Sequence, residues 1–180
     1  LIVGTVVLLG SCAKKDDATT AATVTPFTPT TTASGSITVG SATMSGTYAS
    51  DCNDLTGSSA IGNYVPSDVL ANRDVLVVTG SDNVSEEMYF YTDTSCTNLS
   101  GYLKDGNDNF TVGDASGEYY KVTYIETGFK VTAGTTVAET YYENYFTTNG
   151  ITASGTTIDL VVDTEYDVGG SGVNEMNIFY

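Results

Sequence analysis

Residues 74–93 read Asp-Val-Leu-Val-Val-Thr-Gly-Ser-Asp-Asn-Val-Ser-Glu-Glu-Met-Tyr-Phe-Tyr-Thr-Asp, and this stretch decides the fold class. It begins with an uninterrupted aliphatic run at 75–78, which is typical of a buried strand. A polar, Gly-containing turn follows, and then a segment in which side chains alternate between two faces. The alternating residues are Met88 and Phe90 on one face and Tyr89 and Tyr91 on the other. Two strands around a turn indicate β structure.

Short strand-like segments recur along the rest of the domain, and we count about eight to ten of them. Residues 156–163 have the clearest alternation, since Ile158 and Leu160 face one way and Asp159 the other. Asp105-Gly106 predicts a hairpin turn between two further strands. The pattern predicts an all-β fold, either an antiparallel barrel or a β-sandwich.

One segment, residues 136–148, favours a helix within this β pattern. Thr136 and Glu139 have the spacing of a capping box, and Asn149-Gly150 is suited to close the helix. The predicted apolar face is Val137, Tyr141 and Tyr145. The alternative is a hairpin over 145–153 with Asn149-Gly150 as its turn.

The N-terminus contains an apolar run followed by a small-residue motif. Residues 1–9 are uncharged and too short to cross a bilayer as a helix, but they have the length of a signal-peptide core. Leu9-Gly10-Ser11-Cys12 resembles the lipobox of bacterial lipoproteins, in which the Cys carries the lipid. The resemblance implies a signal peptide at 1–11, truncated at its start, and lipidation of Cys12.

The residues after Cys12 carry a second signal. Ala13-Lys14-Lys15-Asp16-Asp17 is similar to the surface-export signal of Bacteroidota lipoproteins, and Ala13 in place of Asp resembles an outer-membrane address. A Thr- and Pro-rich stretch follows and is typical of an extended tether. We therefore expect three parts: the signal peptide, a lipidated tether at 12–35 and a β-barrel domain at 36–180.

The lipobox also explains the odd number of cysteines. With Cys12 lipidated, Cys52 and Cys96 remain. An exported chain folds in an oxidising compartment, so we expect these two to form a disulfide, with two free buried thiols as the alternative.

Composition argues against several functions. The formal net charge is −16 with six basic residues, so we expect no nucleic-acid partner. The chain has no His, which removes Ser-His-Asp and Cys-His catalysis, and it has no phosphate-binding or dinucleotide motif. Carboxylates could serve a glycoside hydrolase, but no pair has a distinguishing spacing. We expect a non-enzymatic protein with no catalytic residue, cofactor or metal.

Residues 105–109 offer a weak calcium pattern. Asp105, Asn107 and Asn109 have the spacing of an EF-hand loop, but the Gly and Glu that complete such a loop are missing. A hairpin turn is the simpler interpretation of this stretch.

Two segments resemble lipocalin-like lipoprotein domains. Ser45-Gly46-Thr47-Tyr48, with Cys52 close behind, is similar to their opening strand, although Tyr48 stands where they usually carry Trp. Residues 91–96 have a similar strand end, an acid followed by Cys. The resemblance covers 36–180 and implies an antiparallel barrel with one helix and an interior that takes a small apolar ligand.

The chain contains 13 tyrosines, whose apolar ring and polar tip suit contacts with glycans or proteins. Packing within strands is the alternative role. We assign ligand binding to four of them, Tyr89, Tyr91, Tyr120 and Tyr124. The predicted function is a lipoprotein anchored in the outer membrane, at the cell surface, that binds a small apolar ligand or glycan. The alternatives are a structural or adhesive module and a carbohydrate-binding β-sandwich.

Overall fold

A computed structural model describes residues 27–57, 65–116, 119–153, 156–169 and 172–179. The lipobox, the export signal and the first part of the predicted tether therefore lie outside the described residues. The tether's last residues are described, and they lie against the β-sheet.

The described chain forms ten strands and one helix. In order, they are β1 (Ile37–Val39), β2 (Ala42–Met44), β3 (Thr47–Ala49), β4 (Asn53–Asp54), β5 (Ala71–Val78), β6 (Val84–Tyr91), β7 (Leu99–Ser116), β8 (Tyr119–Ala133), α1 (Thr136–Asn149), β9 (Glu165–Asp167) and β10 (Gly172–Phe179). All strand pairs are antiparallel, which confirms the all-β prediction.

The strands form one large sheet and one small hairpin. The large sheet has the order β10-β8-β7-β6-β5-β3, with β4 added to β5 and β9 added to β8. β1 and β2 pair separately. Within the described residues the large sheet ends at β10 and β3, and no closed barrel is found.

The centre of the sheet is a meander of β5, β6, β7 and β8. The predicted turn at Asp105-Gly106 is wrong, because both residues lie inside β7, a single strand of 18 residues. Gly106 lies opposite Gly128 of β8, and the β7–β8 register shifts at three places. These irregularities bend a long strand pair without ending it, so a turn-forming dipeptide here marks a bulge.

The sheet has two faces, set by the alternation of side chains along β5–β8. We call one the helix face, because the β1–β2 hairpin and α1 pack on it. Its buried residues include Leu76, Val78, Val84, Val122, Val131 and Ala133. We call the other the strap face, because residues 27–34 cross it. Its buried hydrophobic residues are Ala71, Val75, Val77, Tyr89 and Tyr91.

The predicted helix is confirmed, and the alternative hairpin is wrong. The cap is Thr135 and not the predicted Thr136, since the Thr135 hydroxyl accepts a hydrogen bond from Ala138 N at 3.1 Å. Gly150 ends the helix in the left-handed region, as predicted. The predicted buried face is wrong by one position. Ala138, Tyr142 and Phe146 are buried, one residue after each predicted position.

Residues 156–163 do not form the predicted strand. Ile158 and Leu160 do face the core beside α1, so the alternation was meaningful. However, the Leu160 backbone N–H donates to the Glu143 carboxylate of the helix at 2.8 Å. The Asp163 backbone N–H donates to the Ala133 carbonyl oxygen of β8 at 2.7 Å, so the segment is bonded to the helix and to the end of one strand without pairing along that strand.

The predicted disulfide is confirmed. Cys52 and Cys96 are bonded, and their Cα atoms are 5.8 Å apart. Asp93 orders the loop that carries Cys96, because its carboxylate accepts hydrogen bonds from the backbone N–H groups of Ser95 and Asn98. The Ser95 hydroxyl, which also donates to this carboxylate, and the backbone N–H groups of Asn98, Thr97 and Ser95 hold the pKa of Asp93 down to about 2.

Removing the bridge should lower stability substantially. The two cysteines are 44 residues apart, and a crosslink of that length is worth about 4 kcal/mol on the loop-entropy model. We expect Cys52→Ala/Cys96→Ala to lose about that much free energy of unfolding in urea. The single Cys52→Ala variant should lose a similar amount, because either change breaks the bridge. A double variant within about 1 kcal/mol of the parent would contradict this role.

Candidate functional site

A row of carboxylates crosses the helix face in the middle of the sheet. We call it the acidic band, and it consists of Asp74, Glu86, Asp105 and Glu126, one each from β5, β6, β7 and β8. Glu86 lies directly opposite Asp105, a position at which Cβ atoms are about 5 Å apart. All four residues are half-buried.

Apolar side chains border the acidic band on both sides. Leu76 and Val84 belong to the cluster beneath the β1–β2 hairpin. Leu103 and Phe129 pack against the cluster beneath α1, and both are half-buried. Phe129 is also the direct neighbour of Asp105 across β7–β8. A few polar groups within a mostly apolar surface is the usual composition of a small-molecule site.

The basic residues of the described chain all lie on the other face of the sheet. Strand alternation places Arg73, Lys104, Lys121 and Lys130 on the strap face. Lys104 and Lys130 form ion pairs there with Glu165, at 2.9 and 3.0 Å. Glu86 and Asp105 therefore face no basic side chain among the described residues.

Three carboxyl groups of the band, those of Asp74, Glu86 and Asp105, resist ionisation. Burial, followed by the charges of Glu126 and Asp74, raises the pKa of Glu86 to about 7. Burial, followed by the charges of Glu126 and Glu86, raises the pKa of Asp105 to about 7. Burial also raises the pKa of Asp74. The physical cause is the same in each case, since a half-buried anion without a counter-charge is unfavourable.

Asn107 adds an unpartnered amide to this row. It follows Asp105 by two residues on β7 and lies opposite Glu126, so it shares the helix face. It is 2% exposed, and in the described chain neither its Oδ1 nor its Nδ2 has a hydrogen-bond partner. The same holds for Oδ1 of Asp105. Leaving such a group unsatisfied costs about 1–3 kcal/mol, which a ligand could offset.

The strap face holds a buried carboxylate whose oxygens, unlike Oδ1 of Asp105, have hydrogen-bond partners within the chain. Glu87 is 2% exposed, yet its oxygens accept hydrogen bonds from the backbone N–H groups of Thr30 and Thr31 and from the Tyr89 hydroxyl. Phe27 packs edge-on against Tyr89 and beneath the Arg73 guanidinium. The Glu87 oxygens therefore find their partners within the chain, and Glu87 holds residues 27–34 against this face.

The strap face also has a shallow open groove of about 250 Å³. It is lined by Ser85, Lys104, Gly106, Thr127, Gly128, Lys130 and Asp167. Both lysines are already paired with Glu165, which reduces the positive charge they offer to a ligand.

The four tyrosines that we assigned to ligand binding fall on opposite faces. Tyr89 and Tyr91 are buried on the strap face, and Tyr120 and Tyr124 lie on the helix face. Tyr124 is closest to the acidic band. Burial raises its pKa to about 12, and the charges of Glu86 and Asp105 add to the shift. The structure therefore places two of the four, Tyr120 and Tyr124, at the cluster beneath the hairpin, and of these Tyr124 is affected by the charges of the band.

Neither a metal-binding cluster nor a membrane-spanning helix is found among the described residues. They contain no group of three or more Cys, Asp or Glu side chains placed to hold a metal ion. No helix among them is long and apolar enough to cross a membrane.

Sequence reasoning missed the acidic band, although a signal was present. By the two-residue period, Glu86 shares a face with Val84, Met88 and Phe90. An acid in that series is unusual and could have been noticed. Asp105 was hidden because its segment resembled a turn.

Comparison with known proteins gives no family. No family model matches the chain, and no curated protein matches it significantly.

The free energy of unfolding should fall as the pH rises through the range in which Glu86 and Asp105 ionise. The folded protein binds more protons than the unfolded chain between the ordinary carboxyl pKa near 4 and the raised value of about 7. Stability present at low pH is therefore lost as the pH increases toward and through 7. We expect a loss of about 1–3 kcal/mol in the free energy of unfolding between pH 5 and pH 8.

The variant Glu86→Gln tests the cause. It removes one titrating group, so it should flatten this slope and stabilise the protein at pH 8. Asp159→Asn is the matched control, because Asp159 is exposed and outside the band. Equal slopes in the parent and Glu86→Gln would show that the band does not govern the pH dependence.

Proposed function

We propose that the protein is a non-enzymatic lipoprotein, anchored in the outer membrane and displayed at the cell surface, whose β domain binds a small apolar ligand. The observation that carries the binding proposal is the helix face. There, half-buried apolar side chains surround polar atoms that have no partner within the described chain. Surfaces that must remain stable without a ligand seldom leave a buried amide such as Asn107 unsatisfied.

The proposal includes a lipocalin-like arrangement of the strands. Its support is the sequential antiparallel meander from β5 to β8 and the helix packed on one face. The three register shifts between β7 and β8 add curvature, because bulges bend and twist a strand pair. A barrel would require the edges at β3 and β10 to meet.

The anchor is supported by the sequence motif at Leu9–Cys12. Phe27, Thr30 and Thr31 are held on the strap face, through Tyr89 and Glu87. A tether from Cys12 would therefore meet the domain on the face opposite the proposed ligand site.

Cys12→Ala should release the full-length protein from the membrane fraction, because the thiol that carries the lipid is absent. The measurement is fractionation of the producing cells followed by immunoblotting. Ser11→Ala is the control, since it keeps a small residue before the Cys and should leave the protein in the membranes. Retention of Cys12→Ala with the membranes would rule out anchoring through this residue.

The ligand site should bind an uncharged apolar probe. We expect the full chain carrying Cys12→Ala, purified without detergent, to enhance the fluorescence of diphenylhexatriene saturably. Phe129→Ala removes a half-buried ring beside the band and should weaken binding by about tenfold, the effect of roughly 1.4 kcal/mol.

Val137→Ala provides the control for this measurement. It truncates an apolar side chain that is exposed on α1, so it should leave the affinity unchanged. Fluorescence enhancement that does not saturate, or that is the same for Phe129→Ala and the parent, would refute the site.

A further inference from the structure

We propose that the acidic band binds the ammonium group of a small organic amine whose apolar part lies against Phe129 and Leu103. The inference names the ligand class of the helix-face site, so it rests on the proposed function.

Basic side chains of the described sheet lie on the face opposite Glu86 and Asp105. Glu86 and Asp105 are adjacent, half-buried and without a basic neighbour among the described residues, while the described cations lie on the opposite face. Elsewhere in the chain, basic residues occur only at Lys14 and Lys15. A cation from outside would supply the charge that the helix face lacks, whereas an anion would be repelled.

The helix face contains buried oxygen atoms without hydrogen-bond partners in the described chain. An ammonium group has three donors and no acceptor. Oδ1 of Asp105 and Oδ1 of Asn107 are buried acceptors that have no hydrogen bond within the described chain. Glu86, directly across from Asp105, adds a third acceptor group. Three acceptors therefore line one short stretch of the face, matching three donors.

Aromatic and apolar side chains lie beside these carboxylates. Phe129 lies directly opposite Asp105, so a cation bound at this carboxylate would sit near its ring. Tyr124 is close enough for the charges of Glu86, Asp105 and Glu126 to act on its hydroxyl. Aromatic rings attract organic cations, and Leu103 extends the apolar surface beyond them.

A metal ion fits this place less well. Calcium needs six to eight oxygen ligands at about 2.4 Å, and the described side chains contain no such carboxylate group. A primary amine asks only for three acceptors, and its alkyl chain makes use of the apolar border.

The test compares three probes with one tail: hexylammonium, hexan-1-ol and hexanoate. They carry charges of plus one, zero and minus one, so differences among them report the head group. We expect calorimetry on the full chain at pH 8 to show hexylammonium binding at least tenfold more tightly than hexan-1-ol, with hexanoate weakest.

Variants locate the effect. Glu86→Gln/Asp105→Asn keeps the size of both side chains and should reduce hexylammonium affinity at least tenfold, to the level of the alcohol. Asp159→Asn removes an exposed charge outside the band and should change nothing. Retained diphenylhexatriene binding shows that the double variant is folded.

The outcomes separate the two proposals. Equal binding of hexylammonium and hexan-1-ol would overturn the amine inference and leave apolar binding intact. Preference for hexanoate, or full hexylammonium affinity in the double variant, would also overturn it. If none of the probes binds, diphenylhexatriene included, the proposed function fails and the inference fails with it.

Discussion

The register of β6 between β5 and β7 is the constraint on which the rest of the molecule depends. Because side chains alternate along a strand, the register assigns each residue of β6 to one of the two faces. Glu86 and Glu87 are neighbours in sequence and lie on opposite sides of the sheet. A slip of one residue would place Glu87 among the apolar residues beneath the hairpin and would expose the contacts that hold the strap. The same register brings Glu86 beside Asp105, so the candidate site exists only in this pairing.

The two glutamates show two ways in which a sheet accommodates a buried carboxylate. Glu87 accepts hydrogen bonds from two backbone N–H groups and a hydroxyl, so its charge is satisfied within the chain. Burial instead raises the pKa of Glu86, and neighbouring carboxylates raise it further. The first arrangement stabilises the path of the strap. In the second arrangement, an added cation beside Glu86 would stabilise the folded protein. This property is expected of a binding site and not of a core.

The local features of the fold could be predicted from sequence, and the site could not. Alternation and turn residues were enough for the β class. Capping residues near its start and Gly150 at its end were enough for the helix, although the cap is Thr135 and not the predicted Thr136. Cys52 and Cys96 were paired by a chemical argument that the structure confirms. Asp105-Gly106 failed because a turn dipeptide and a bulge look alike until the partner strand is known. Ile158 to Leu160 failed because alternation reports burial, not which group accepts or donates the backbone hydrogen bonds.

The acidic band escaped prediction for a further reason: its members come from four strands. Asp74 and Glu126 are far apart in the chain, and only the order of the sheet, with β6 and β7 between their strands, places them in one row.

The placement of charge also bears on how a ligand would reach the site. The chain carries a formal charge of −16, so its field attracts cations from all directions and repels anions. Within that field, the described basic residues are gathered on the strap face, where Glu165 pairs with Lys104 and Lys130. A tether that joins the domain on the strap face would leave the helix face directed away from its point of attachment. On the proposed anchoring and binding, sheet alternation would separate the point of attachment from the ligand site, because Glu86 and Asp105 lie on the face opposite the strap.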